Sequence, residues 1–251
     1  MSLGTSIRFL VQRTLRSAGY EIRRFTLDEM HRLRLLLDSH KVDTVLDVGA
    51  NIGQFASTLR AAGFTGTIIS FEPQSAAHSK LVALAKSDPK WIVAPRAAVG
   101  AAPGEITMNI SANSVSSSAL PILDAHTGSA PSSRYVSQET ATVIRLDDSD
   151  LVPAADRIFV KIDTQGFEGE VIKGARKVLT RAVGVQTELS LAQLYDGQPD
   201  YLEILRDLTA LGFEPWSIEP GFADLHSHRL LQMDATLFRA ASASERCLSV
   251  A

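Results

Sequence analysis

The chain has 251 residues, 45% of them hydrophobic and 21% charged, and a formal net charge of −3. That composition excludes collagen-like, disulfide-stapled and wholly disordered chains, and the single Cys247 allows neither an internal disulfide nor a CxxC metal site. No apolar run approaches the roughly 18–20 residues of a membrane span.

Charge is unevenly placed. Residues 1–24 carry Arg8, Arg13, Arg16, Arg23 and Arg24 against Glu21, a sum of +4, which leaves −7 for the rest of the 251. Ile7, Leu10, Val11, Leu15 and Ala18 fall near helical spacing, and Gly19 suits a stop. A signal peptide would separate its basic and apolar regions, and here they are interleaved. The expectation is a retained N-terminal helical segment over residues 1–40 on a cytoplasmic protein, with two readings of its arginines. They are a solvated helix face, or a peripheral contact with an anionic membrane surface. The acidic body has no basic, aromatic-laced stripe, so nucleic acid is not an expected partner.

Strands and helices then alternate. Strands are predicted at Thr44–Val48, Thr67–Phe71, Trp91–Val99, Glu105–Ile110, Ala141–Leu146, Arg157–Ile162, Val183–Leu189, Phe213–Ile218 and Leu231–Arg239. Helices are predicted over Gly53–Ala62, Ser75–Ser87, Gly169–Leu179 and Tyr201–Leu211. This order implies an α/β fold, a doubly wound and mainly parallel sheet. All the strands from about Thr44 to Arg239 are assigned to one sheet with a single core over residues 41–251. Ser111–Ser137, rich in serine, reads as a long loop or lid.

The first strand–helix junction is VLDVGANIGQF, Val45 to Phe55. Gly49 permits close approach of a ligand, Ala50 and Asn51 lie in the turn, and Gly53 lets the helix sit tight on the strand. The helix start offers N–H groups to an anionic group. Asp47, at the strand end, suits an ammonium group, met directly or through water. Glu72 closes the second strand in SFEP, 19 residues after Gly53, where a carboxylate accepts from ribose hydroxyls. Arg96 and Ala97 end the third strand, by the expected adenine. Acid, glycine turn and acid suit S-adenosyl-L-methionine. A nicotinamide-dependent oxidoreductase, the alternative, would place glycine at Asn51. A third reading is a non-catalytic S-adenosylmethionine-binding module.

VLDVGANIGQF, SFEP, the AAVG of Ala97–Gly100, VIRLDD (Val143–Asp148) and VKIDTQGFEGEVIKGA (Val160–Ala175) together resemble the FkbM-type S-adenosylmethionine-dependent methyltransferases. The resemblance runs from about Val42 to Phe238. It implies a class I, Rossmann-like methyltransferase fold, a seven-stranded sheet whose last strand is antiparallel. It implies O-methylation of a sugar hydroxyl, on a cell-envelope glycolipid or related glycosylated natural product. One departure stands out. The family usually reads Lys-Ile-Asp-x-Glu-Gly after the fourth strand, and this chain has Gln165 where that Glu stands.

A sugar hydroxyl is a poor nucleophile at neutral pH, so a base or a metal is expected to help. Asp163 and Glu188 end the fourth and fifth strands at the ligand edge and are the candidate catalytic acids. Likeness to metal-dependent sugar methyltransferases suggests the same pair as ligands to Mg2+. His226 and His228, in FADLHSHRLL, are the candidate histidine bases, while His126 falls in the serine-rich loop. Tyr195 is expected to line the acceptor pocket. Asn113–Leu120 resembles a family segment with a serine near the cofactor, which singles out Ser117 and Ser118.

Overall fold

A computed structural model of the chain describes residues 28–154 and 156–239. The helix expected around Ile7–Ala18 lies outside the described residues. The elements are α1 (Glu29–Ser39), β1 (Thr44–Val48), α2 (Gln54–Ala61), β2 (Thr67–Phe71), α3 (Ser75–Ala85), β3 (Trp91–Val93), β4 (Ala98–Val99) and β5 (Gly104–Ser111). There follow α4 (Asp124–Ser129), β6 (Tyr135–Ile144), β7 (Ile158–Ile162), α5 (Glu168–Gly174), α6 (Arg176–Arg181), β8 (Gly184–Ser190), α7 (Tyr201–Ala210), β9 (Phe213–Pro220) and β10 (Gln232–Arg239).

Seven strands form the main sheet in the order β3-β2-β1-β7-β8-β10-β9. Neighbours pair in parallel from β3 through β8. β10 runs antiparallel to both β8 and β9. This is the class I methyltransferase arrangement, with its last strand reversed. Every residue of β1 and of β7 is buried. Central parallel strands covered by helices on both faces require that continuous burial. Alternate residues feed opposite faces. Leu46, Val48, Val160 and Ile162 join the cluster with Val171 and Leu179 of α5 and α6. Val45 and Phe159 join Leu37 of α1, Leu59 of α2 and Leu81 of α3 on the other side. α7 is held by a capping box, with Asp200 Oδ1 accepting from Leu202 N at 2.8 Å and Glu203 Oε2 accepting from Asp200 N at 3.1 Å. The helix predicted over Gly169–Leu179 is broken at Ala175 into α5 and α6.

The strands are not all in one sheet, as the sequence reading held. β4, β6 and β5 form a separate three-stranded sheet. The divergence begins at Pro95. Ala94 N makes the last bond to β2, to Ser70 O at 2.9 Å. Pro95 has no N–H to extend the ladder. The chain turns away, and Ala98–Val99 pair instead with Val143–Ile144 of β6. The serine-rich segment is also more ordered than a loop. It contains α4, a 3₁₀ turn at Pro131–Ser133, and bridges joining Asn109 to Ser118 and Ile122 to Tyr195. No described helix is long and apolar enough to cross a membrane.

Candidate active site

Strand order reverses between β1 and β7, because the chain lays down β2 and β3 on one side and returns to the other. Ligands of open α/β sheets bind at the carboxyl ends of strands at such a point. A cavity of about 520 Å³ lies there. It is walled by the β1–α2 turn, the ends of β2, β7, β8 and β10, residues of β4 and β5, and the serine-rich segment, with α1 across its mouth.

At one end is the glycine turn. Gly49 (φ 80°) and Asn51 (φ 48°) are in left-handed backbone. A Cβ on Gly49 would overlap the carbonyl oxygen of Asp163, so this turn fits the end of β7 only with glycine. Glu72 completes the end. It is 2% exposed, with Oε2 accepting from Asn51 N at 2.7 Å and Oε1 from Gln74 N at 2.8 Å. Burial pushes its pKa up to about 7, against the lowering by those two N–H groups. Each oxygen keeps a lone pair for a hydroxyl donor. Asn51 Nδ2 and Gln74 Nε2 both donate to Ser114 O, at 3.2 and 3.3 Å, and tie the serine-rich segment to this end.

Behind the turn lies an ion-pair relay. Asp47 is fully buried and does not line the cavity. The ammonium group it meets is the chain's own, Lys161. Lys161 Nζ is 3.3 Å from Asp47 Oδ1, 3.3 Å from Asp163 Oδ2 and 3.3 Å from Gly49 O. Burial disfavours the charge of Lys161, but the two carboxylates outweigh it and hold its pKa above the ordinary lysine value. Asp47 therefore steadies a buried cation at the base of the site, and its burial leaves no direct contact with a ligand's ammonium of the kind expected from sequence.

Beside the turn, Asp163 and Glu188 stand bridged by Gln165. The Gln165 amide Nε2 donates to Asp163 Oδ1 at 2.9 Å and to Glu188 Oε2 at 2.8 Å. Its carbonyl Oε1 accepts from Tyr195 OH at 2.8 Å, and its backbone oxygen accepts from Ser118 Oγ at 2.6 Å. Gln232 Nε2 adds a second donor to Glu188 Oε2 at 2.6 Å. Glu168 Oε1 accepts from Thr164 N and Gly166 N at 2.9 and 3.1 Å, which locks the turn carrying Gln165. Burial, then repulsion from Asp163, Glu168 and Asp234, raises the pKa of Glu188 well above the ordinary carboxylate range. Asp234, also on the wall, is pushed up to about 7, chiefly by burial and then by Asp163.

This donor set does not fit Mg2+. An ion there would find one unengaged oxygen, Glu188 Oε1, because Asp163 Oδ1 and Glu188 Oε2 face the amide hydrogens of Gln165 and the Lys161 ammonium stands beside Asp163 Oδ2. Neutral amide and ammonium donors supply nothing to a hard cation. No cluster of three metal-ligating side chains occurs among the described residues. The metal role expected for Asp163 and Glu188 is withdrawn.

Gly49, Ala50, Asn51, Glu72, Ala97, Asp163 and Glu188 line the cavity as expected. Five other residues or pairs sit elsewhere than expected. Gly53 caps α2 and packs the helix tightly, as its glycine suggests, with a Cβ there coming within 2.9 Å of the Trp91 ring, but it does not line the cavity with the cofactor-binding residues. Arg96 faces away, donating to Pro73 O and Thr140 O. Ser118 is buried under Gln165, whereas Ser116 and Ser117 reach the wall. His226 and His228 are exposed on the β9–β10 connection and are not among the lining residues. Tyr195 lies beneath the wall, fully buried. Sequence reasoning missed Lys161, Gln186, Gln232, Asp234 and His126 on the wall. Lys161 had a signal, a charge inside the otherwise apolar RIFVKI strand.

A family model described as Methyltransferase FkbM domain matches residues 47–215. No curated protein matches the chain. Solved structures with similarity include EvdMO1, at 11% identity and TM-score 0.42, covering 93% of this chain and 47% of its own. This chain thus spans about half the length of EvdMO1. The TehB-like S-adenosylmethionine-dependent methyltransferase of Corynebacterium glutamicum is 11% identical with TM-score 0.42, over 95% of this chain and 100% of its own. The magnesium protoporphyrin IX methyltransferase ChlM of Synechocystis, solved with S-adenosylmethionine bound, is 9% identical with TM-score 0.47, over 93% and 82%.

Proposed function

This chain belongs to the FkbM methyltransferase family, and we propose that the methyl group it transfers from S-adenosylmethionine goes to a sugar hydroxyl, on a cell-envelope glycolipid or related glycosylated natural product. The family match displaces the nicotinamide reading. One observation carries the proposal. One cavity is lined both by a buried carboxylate at the glycine turn, Glu72, and by the carboxylate at the end of β8, Glu188, whose pKa is raised.

The residues at the turn fit the methyl donor. Glu72 would hold ribose hydroxyls, Gly49 to Asn51 the adjoining chain, and Ala97 to Val99 the adenine side. When bound, the donor supplies an electrophilic methyl on a positively charged sulfur. Each of Asp163, Glu188 and Asp234 on the wall favours that charge when ionised.

Glu188 is the proposed base. Its Oε2 is saturated by two amides, and its Oε1 has no hydrogen-bond partner among the described residues. Burial and the neighbouring acids raise its pKa, so in its ionised form it takes a proton more readily than an ordinary carboxylate. The hydroxyl proton passes to Oε1 while Gln165 and Gln232 hold the carboxylate in place. Asp163 orients the same hydroxyl. The arginines of residues 1–24, read from sequence, suit an acceptor presented at an anionic membrane surface.

The test is transfer of labelled methyl from S-adenosylmethionine into a polar lipid extract, with sugar analysis of the product. An O-methyl sugar is expected. Glu188→Gln should keep S-adenosylhomocysteine affinity and lose roughly 100-fold or more in turnover. Label in a nitrogen-linked methyl, or full turnover by Glu188→Gln, would overturn the reading.

A further inference from the structure

Among the described residues His126 stands out as a buried polar group that the mechanism does not use. It is 3% exposed, yet it is part of the cavity wall. Neither of its ring nitrogens bonds to a described residue; Nδ1 is wholly shielded, and Nε2 is the nitrogen open to a ligand in the cavity. A buried polar atom left unpaired costs about 1–3 kcal/mol, so such atoms are rare without a use.

The position of the ring is well determined. α4 is anchored by Leu123 N donating to Leu194 O at 2.9 Å and by the bridge of Ile122 to Tyr195. The imidazole stands edge-on to the Tyr195 ring, centroids 5.1 Å apart, and 5.4 Å from the Phe222 ring at a 37° tilt. Tyr195 is the residue whose hydroxyl reaches Gln165, and Gln165 bridges the two catalytic acids. His126 and Phe222 thus continue the cavity wall from the residues that hold Gln165.

We propose that His126 and Phe222 form the acceptor subsite, in which the His126 imidazole hydrogen-bonds a hydroxyl of a neutral sugar ring whose apolar face rests on Phe222. The inference rests on the proposed sugar acceptor and names the residues that select it. Chemistry narrows the ligand class. Burial holds the His126 pKa down to about 4, so the ring is uncharged at neutral pH and offers an anion no charge. A hydroxyl can donate to or accept from either imidazole tautomer. An aromatic ring beside one hydrogen-bonding group matches the two-faced surface of a sugar, apolar on one side and rimmed with hydroxyls.

The experiment uses the whole chain saturated with S-adenosylhomocysteine and a set of methyl glycosides, of the gluco, galacto, manno, rhamno and fuco configurations. Binding is read by saturation-transfer NMR, and the His126 ring is read by its 15N shifts. At least one glycoside should bind and shift the His126 ring nitrogens. His126→Phe, which keeps a ring and removes both nitrogens, should weaken that glycoside about tenfold while leaving S-adenosylhomocysteine affinity unchanged. His126→Gln, which restores a hydrogen-bonding group, should recover part of the loss. Binding of no glycoside, binding without a His126 shift, or full affinity in His126→Phe would each overturn the proposal. Failure of the chain to bind S-adenosylhomocysteine would instead count against the methyl-donor site.

Discussion

Gln165→Glu tests the acidic end of the cavity. The two side chains have the same shape, so the carbonyl that accepts from Tyr195 OH is retained. The amide nitrogen is replaced by an oxygen at 2.9 Å from Asp163 Oδ1 and 2.8 Å from Glu188 Oε2. Two charge-assisted hydrogen bonds become at most one, because a single added proton bridges only one pair of oxygens. Such bonds are worth about 1.5–3 kcal/mol each, so the net loss is about 3 kcal/mol at pH 8. For a domain of this size that lowers Tm by about 6–12 °C. The sign with pH follows. Burial and two neighbouring acids raise the introduced carboxyl's folded-state pKa above its unfolded value. The penalty is therefore small below the ordinary carboxylate range and grows as pH rises through the folded value. Thermal unfolding of both proteins at pH 5.5 and pH 8 decides it. The gap should at least double at the higher pH. An equal gap at the two pH values, or a more stable variant, would refute the account of Gln165 as the donor that neutralises this cluster.

Glu72 sets a second pH dependence. Its folded pKa of about 7 lies above the ordinary 4.5, so its contribution is full below about pH 4.5 and is lost as pH rises through 7. The ligand-free protein should lose stability across that window, and Glu72→Gln should flatten the slope by about 3 kcal/mol, measured by urea unfolding at pH 5 and pH 8. Identical slopes would contradict the burial argument. Metal removal should do nothing: methyl transfer after dialysis against EDTA should equal that with added magnesium, and loss on chelation with rescue by magnesium would show that the Gln165 amide yields its place to an ion.

The main sheet was readable because each of its strands carries its own signal. TVLDV and RIFVKI are mainly apolar, β-rich runs, each interrupted by a charge, Asp47 or Lys161, as strands covered on both faces largely are, and Gly49 marks the end of the first. The glycine turn and Glu72 were legible for the same local reason. The separate sheet was not, because a β-rich run such as Ala141–Leu146 does not state its partner; only Pro95 hinted that the third strand ends early. The acidic pair was placed correctly from strand ends, but its chemistry depends on Gln165, Gln232 and Tyr195, which come from three distant stretches of chain. His126 illustrates the limit most plainly. In sequence it is a histidine in a serine-rich loop, less promising than His226 and His228. Its burial comes from α4 docking on Leu194 and Tyr195, a long-range contact with no local pattern.

The central claim is that the glycine-turn end of this cavity binds the methyl donor through Glu72. Titration calorimetry of S-adenosylhomocysteine into the wild-type chain and into Glu72→Ala tests it directly. The wild type should bind, and Glu72→Ala should lose at least about 100-fold in affinity, as expected when hydrogen bonds to a buried carboxylate are removed. Equal affinity in the two proteins, or no binding by the wild type, would contradict it.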